Sequence, residues 1–429
     1  MTADNRSSRE HDITNSTTDS EVASPRCPHL TGYDPLADTE IRDPYPSFIR
    51  ARTEAPVFYD DKYDLWSVVL SADVNAALLD VQTFSSASAL TVEPPPDGVL
   101  ERMPEYPWAG GVLVLDEPAH KGARAILRSP FTPRRAEAHA PAIRQRAQAL
   151  LVPLERDGRI EFIREVAYPL ALAVVGEILG IPEDRFDLLD RGVDAAHQLS
   201  AKAAADEDDK LRLALILADL VQYIGELIDE RRRQPTDDYT SVMVHTPRPD
   251  GQLEETSRLV KHVWAIIAAG FETTANQLSL GVRALLEHPD QWDKLIADRS
   301  LMPAAVEEML RYRTLVKRLF RTTTREVEIQ GVTIPKGANV ALVSAAANRD
   351  PDAYETDPET FDIGRRAQHL AFGKGIHLCV GAQLARTEMR VVLEELVDRF
   401  PGLALAEAEE PSGPAQLRFD TLATLHLTR

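Results

Sequence analysis

The chain has 429 residues, with 48 Lys and Arg against 68 Asp and Glu and a formal charge of −20. That balance excludes a general nucleic-acid binder, which needs a basic excess to displace counterions from phosphates. Hydrophobic residues make up 44 % of the chain, enough to bury a large core, and the two cysteines, Cys27 and Cys379, are too few and too distant in sequence for a disulfide scaffold and point to a reducing, cytoplasmic setting.

Residues 1–30 are rich in Ser, Thr and charge and have no apolar run, so they read as a disordered leader rather than a secretory signal. Residues 31–429 read as one domain. DPYPSFIRAR predicts a short helix opened by Asp and Pro, and VFYDDKYDLWSVVL predicts two short strands around a turn. Residues 84–111 carry prolines at 94, 95, 96, 104 and 107, and such a long irregular stretch is a candidate lid. From Pro118 to about Arg313 apolar residues recur at spacings of three and four, which predicts a helix-rich body. Within it residues 201–210, AKAAADEDDK, read as a solvated acidic loop before a helix that ends in three arginines. The longest apolar runs, 263–271 and 168–181, are too short or too interrupted to span a bilayer. Strand patterns return over residues 325–344, where GVTIPKG suggests a hairpin, and a last helix starts just after Cys379 and stops before Pro401. The fold class expected is mainly α with small β-sheets (α+β).

Four segments carry chemistry. In FGKGIHLCVG, residues 372–381, three glycines bend the backbone tightly and set Cys379 where a turn enters a helix. Amide donors and the positive helix end favour a thiolate there, and a single thiolate with no second cysteine nearby suits haem iron better than zinc; an inert buried thiol is the plain alternative. In AAGFETTANQ, residues 268–277, a Gly, a Glu and Thr residues interrupt what reads as one long apolar helix from about Ser257 to Leu286. Gly270 would let a flat ligand approach, and Glu272 with Thr273 could relay protons; a local kink explains the same residues without function. EEMLRY places Glu308 one helical turn from Arg311, and DEPAHKGAR places His120 and Arg124 on one helix face. The first pair is ordinarily a surface ion pair, and the second is either an anion grip or a solvated basic face.

Together these segments resemble the cytochrome P450 family of haem-thiolate monooxygenases, in its soluble bacterial branch, from about residue 40 to the C-terminus. The resemblance implies the family's triangular-prism fold. It makes Cys379 the axial iron ligand in a loop that includes Phe372 and Gly381, and it makes Gly270, Glu272 and Thr273 the oxygen-binding segment, with Glu272 as acid and Thr273 as alcohol. Glu308, Arg311 and Arg365 become a structural trio, and His120, Arg124, Arg321 and His377 the groups on the haem propionates. It further implies haem b, O2 as co-substrate, and electrons from NAD(P)H through a ferredoxin reductase and an iron–sulfur ferredoxin, since no flavin or nicotinamide fingerprint is visible. The expected enzyme is a monomer that inserts one oxygen atom into a small, largely apolar molecule, with roles in secondary metabolism included; a non-catalytic haem sensor or carrier is the alternative. One departure stands out: RTLVKRLFR has Leu315 where many bacterial members carry proline, and sets Lys317 and Arg318 beside the expected substrate contact Val316. A cation turned into an apolar pocket would call for an acidic group on the substrate.

Overall fold

The computed structural model describes residues 28–88, 94–200, 204–248, 251–406, 413 and 416–429. Cys27 and most of the leader lie outside them. Residues 28–30, assigned to the leader from sequence, pack instead on the folded body: Leu30 is buried, and the Tyr59 N–H donates to the Pro28 carbonyl over 2.9 Å.

Strands β1 (Val57–Asp60) and β2 (Leu65–Val68) form the predicted hairpin, in register Val57 to Val68. The hairpin joins a five-stranded sheet with β3 (Phe84–Ser85), β5 (Leu319–Thr323) and β8 (Asn339–Leu342), in the order β1-β2-β8-β5-β3. β2 and β8 run parallel, which welds the two ends of the chain together. Strand β4 (Arg159–Glu161) interrupts the helical body; it pairs with β10 (His426–Thr428), which also pairs with β9 (Ala404–Leu405). A three-residue strand carries no readable periodicity, and its partner lies at the far end of the chain, so sequence patterning passes over it. The second hairpin is β6 (Val327–Ile329) with β7 (Val332–Ile334), turning at Gln330 and Gly331, whose φ values of 51° and 73° suit a two-residue turn.

The proline-rich segment is clamped down where it is described. Val99, Met103 and Tyr106 are buried, and Arg102 reaches Asp219 at 2.5 Å on the helix Glu207–Arg233. That helix starts within the acidic stretch read as a loop: the Asp206 side chain accepts from the Asp209 N–H, and Glu207, Asp208 and Asp209 occupy the first turn. Carboxylates there satisfy free amides and oppose the helix dipole, so the acidic run is a helix start.

The apolar helix over 257–286 is two helices, Thr256–Gly270 and Glu272–Leu286, broken at Phe271 (φ −103°, ψ −49°). Side-chain hydroxyls attend the break: Thr273 Oγ1 donates to the Ala269 carbonyl at 2.5 Å and Thr274 Oγ1 to that of Gly270 at 2.9 Å. Such back-bonding competes with the backbone ladder and bends helices. Both helices are mostly buried in the main core, beside Tyr168–Leu179 and Ala382–Arg399. No single helix among the described residues is long and apolar enough to cross a membrane.

Candidate active site

A cavity of about 340 Å³ opens between the helix pair broken at Phe271 and the loop entering Ala382–Arg399. One wall carries Phe372, Gly373, His377, Cys379 and Gly381; the other carries Ala265, Ala269, Gly270, Thr273 and Thr274. Arg124, Arg321, Val316 and Arg318 also line it. Of the residues singled out from sequence, His120, Glu272 and Lys317 are not among those lining the cavity.

The cysteine loop follows from its glycines. Gly373 and Gly375 hold φ of 67° and 70°, and a Cβ on Gly375 would stand 2.6 Å from the Leu78 carbonyl oxygen, so no other residue fits there. The Cys379 N–H donates to the Phe372 carbonyl over 2.9 Å, and the Arg386 guanidinium lies 4.6 Å from the Phe372 ring centre. Cys379 is a free, solvent-accessible thiol among the residues that line the cavity. Burial pushes its thiol up, against the Gly381 and Ala382 amides and the charges of Arg124 and Arg386, which pull it down. The amides and the two guanidinium groups are the features that favour a thiolate at this position.

Beside the sulfur stands a cluster of donors. The His120 and His377 rings lie 4.4 Å apart. Neither nitrogen of buried His120, nor Nε2 of His377, has a hydrogen-bond partner among the described residues, although a Glu117 oxygen stands 3.6 Å from His120 Nδ1. Burial first, then Arg321 and His120, push His377 down to about 4, and burial pushes Arg321 down to about 10. Arg124 donates to the Leu378 carbonyl. Buried donors left without acceptors in a cationic neighbourhood are the complement of an acidic ligand.

On the other wall, a Cβ at Gly270 would come within 2.6 Å of Val175 Cγ2. The glycine is thus required by helix packing as well as by the space it leaves. Glu272 turns to a residue the sequence did not suggest: its Oε2 lies 3.0 Å from Nδ1 of half-exposed His197, on the helix Phe186–Ser200. Burial lowers the affinity of His197 for a proton, but Glu272 more than compensates and the pKa stands above its ordinary value. Nothing local marks His197, because the contact joins two helices.

Glu308 and Arg311 are fully buried, not a surface pair. Arg311 Nε and Nη2 donate to the two Glu308 oxygens at 2.7 Å each, and the remaining donors reach the carbonyls of Asn348, Pro358 and Thr360. Arg365 Nε stands 3.5 Å from Glu308. Leu315 also has a local reason: its N–H donates to Gln277 Oε1 at 2.9 Å, a bond that a proline could not make. Lys317 and Arg318 are both buried. Arg318 donates to the Tyr33 hydroxyl and, over 2.7 Å, to the Leu417 carbonyl, while burial pushes Lys317 down to about 8 despite nearby Asp420.

The family model described as "Cytochrome P450" matches residues 212–414. Cytochrome P450 monooxygenase PikC of Streptomyces venezuelae is 36 % identical over 370 residues, covering 85 % of each chain. Nocardicin C N-oxygenase of Nocardia uniformis subsp. tsuyamanensis is 36 % identical over 386 residues, 88 % of this chain and 93 % of that one. Among solved structures, cytochrome P450 CREJ in complex with (4-ethylphenyl) dihydrogen phosphate superposes with a TM-score of 0.83 at 28 % identity, over 92 % of this chain and 99 % of that one.

Proposed function

Since the chain belongs to the cytochrome P450 family of monooxygenases, we propose that it binds haem b through Cys379 and inserts one atom of O2 into a small organic substrate with an apolar reacting group. The observation that carries this reading is the meeting of Cys379 and Thr273 in one cavity flanked by buried, unpartnered donors. When bound, the haem supplies one-electron and dioxygen chemistry. Cys379 Sγ would hold the haem iron, and a thiolate there would supply it with electron density. His120, Arg124, Arg321 and His377 would hold the propionates: two carboxylates would supply partners for the unpaired histidine nitrogens and favour the charged form of Arg321 that burial disfavours.

The residues of the broken helix handle protons. Thr273 Oγ1 donates to the Ala269 carbonyl and lines the cavity, so its oxygen remains able to accept a hydrogen bond. Glu272 holds a proton route to the outside through His197, whose ring is half exposed. The apolar wall formed by Val175, Ile178, Ala265, Ile266, Leu315 and Val316 excludes water from the substrate's reacting end and orients it towards Thr273. Similarity to CREJ, which holds an aryl phosphate, supports a compact substrate with an apolar body. Electrons come from NAD(P)H through a ferredoxin reductase and a ferredoxin, and the enzyme works as a cytoplasmic monomer.

The test is to reconstitute the full chain with haem and record the ferrous–CO spectrum, then oxygen uptake with a surrogate ferredoxin and its reductase. A thiolate-type red-shifted band together with substrate-dependent oxygen uptake is the expected result. A haem protein lacking that band, or one that never consumes oxygen with any substrate of a broad panel, would be a carrier or sensor instead.

A further inference from the structure

The sequence EEMLRY puts two glutamates side by side on the helix Met302–Tyr312, and a turn of about 100° between neighbours sends them to different partners. Glu308 goes inward to Arg311, whereas Glu307 meets the helix Ala382–Arg399. Arg386 Nε and Nη2 donate to the two Glu307 oxygens at 2.6 and 2.9 Å, a forked bond that fixes the guanidinium plane. His369 supplies a third contact, with Nε2 3.1 Å from Glu307 Oε2. The Ala371 N–H can only donate, so its 3.2 Å contact with His369 Nδ1 sets the ring proton on Nε2, facing the carboxylate. Burial raises the Glu307 carboxyl, but the bonds from His369 and Arg386 outweigh it and hold the pKa at about 2.

The same guanidinium also lies against the cysteine loop. Its carbon is 4.6 Å from the ring centre of Phe372, and the Phe372 carbonyl accepts from the Cys379 N–H over 2.9 Å. Phe372, Cys379 and Ala385, the residue before Arg386, line the cavity, while Arg386 itself is not among the lining residues and stands behind the loop. Two cations bear on the Cys379 sulfur, Arg124 and Arg386, and both favour its charged form. They are held differently: Arg124 donates to the Leu378 carbonyl, a neutral acceptor, while Arg386 is tied to a full negative charge. A cation close to a thiolate withholds electron density from whatever the sulfur binds, and a carboxylate fastened to that cation restores part of it. Both members of the pair are partly exposed, so water moderates the effect without removing it.

We propose that Arg386 and Glu307 are positioning residues that set how much electron density Cys379 gives to the haem iron, the arginine raising and the glutamate lowering the iron's reduction potential. This inference rests on the monooxygenase reading above and adds a tuning pair to that same site. Reduction places one more electron on the iron, so a nearby positive charge favours it and a nearby negative charge opposes it. A pair that only braced the fold would behave otherwise: breaking it from either side would loosen the same loop and move the potential in one direction.

The test uses the haem-loaded full chain, with the ferric–ferrous potential read by spectroelectrochemical titration. Arg386→Gln should shift the equilibrium towards the ferric form and Glu307→Gln towards the ferrous form, each by at least about threefold, or about 28 mV at 59 mV per tenfold for a one-electron couple. The variant carrying both changes should fall between the two, and Arg386→Lys, which keeps the charge and loses the fork, should stay nearer the parent than Arg386→Gln does. Shifts of the same sign in the two single variants, or shifts smaller than that, would overturn the proposal. So would an Arg386→Lys potential as low as that of Arg386→Gln, since geometry and not charge would then be at work. Should Arg386→Gln take up no haem, Glu307→Gln decides alone: an unchanged or lowered potential in it overturns the role. The parent's ferrous–CO band keeps the two readings apart: its absence sinks the monooxygenase assignment, whereas its presence with potentials that do not move apart sinks only the tuning pair.

Discussion

Two buried polar clusters flank the same core and differ in one respect. Around Arg311 every guanidinium donor has an acceptor supplied by the chain itself, from Glu308 or from three main-chain carbonyls. Around His120 and His377 the donors outnumber the acceptors, and buried ring nitrogens stand without partners. A saturated cluster stabilises the fold and has nothing left to offer a ligand. An unsaturated one costs the empty protein free energy that a ligand of the right charge recovers. The contrast therefore separates the Arg311 side chain from the histidine pair without reference to any relative.

The largest effect is expected at the saturated cluster. Arg311→Lys replaces the fork on Glu308 with a single ammonium and leaves several carbonyls unpaired, so it should cost about 3–5 kcal/mol and collapse the soluble yield; a denaturation midpoint equal to the parent's would break the contrast. Cys379→Ala should abolish the thiolate-type ferrous–CO band, yet move apoprotein stability by less than about 1 kcal/mol, because the sulfur faces the cavity and not the core. Persistence of the band would remove Cys379 from the iron. Thr273→Ala deletes one hydrogen bond to Ala269, so haem content and substrate binding should hold, while product per electron falls at least about tenfold and peroxide is released. An unchanged product yield would rule out the alcohol.

At the unsaturated cluster the sign should reverse. His120→Leu removes two buried nitrogens that have no acceptor, so the empty protein should be as stable as the parent or about 1 kcal/mol more stable, while haem retention drops about tenfold. A clear loss of apoprotein stability would mean that His120 belongs with the scaffold. The last effect concerns Lys317. Unfolded, it holds its proton to 10.5; folded, burial lowers this to about 8, so stability rises with pH between those values and the penalty is complete below about 8. Lys317→Met should therefore stabilise the protein by about 1–3 kcal/mol at neutral pH, with the gain shrinking as pH rises through that window. A pH-independent gain would show that Lys317 stays charged when buried.

Local segments told most of this in advance. The loop from Phe372 to Gly381 was legible because its glycines, amides and cysteine act within ten residues, and the two positive φ values are written in the residue types. The helices around it followed from apolar spacing. What sequence could not yield were facts that depend on where distant segments meet. Whether Glu308 and Arg311 lie on the surface or at zero exposure depends on the carbonyls that come to meet them from 348–360. The single helix expected over 257–286 breaks because hydroxyls compete for the carbonyls ahead of Phe271, a balance too fine for periodicity to register.

The cations near Val316 show the same division. Both side chains are buried, and Arg318 lines the cavity while Lys317 does not. Only the tertiary structure decides that Tyr33 and Leu417 take up the Arg318 guanidinium, and that Arg418, about a hundred positions later, comes to the cavity. By itself the sequence determined most of the elements and the tight cysteine loop, because hydrogen bonding, backbone freedom and apolar spacing act over a few residues. Tertiary structure alone decided which charges are matched and which are left for a ligand, because desolvation and pairing depend on every segment that closes over a group.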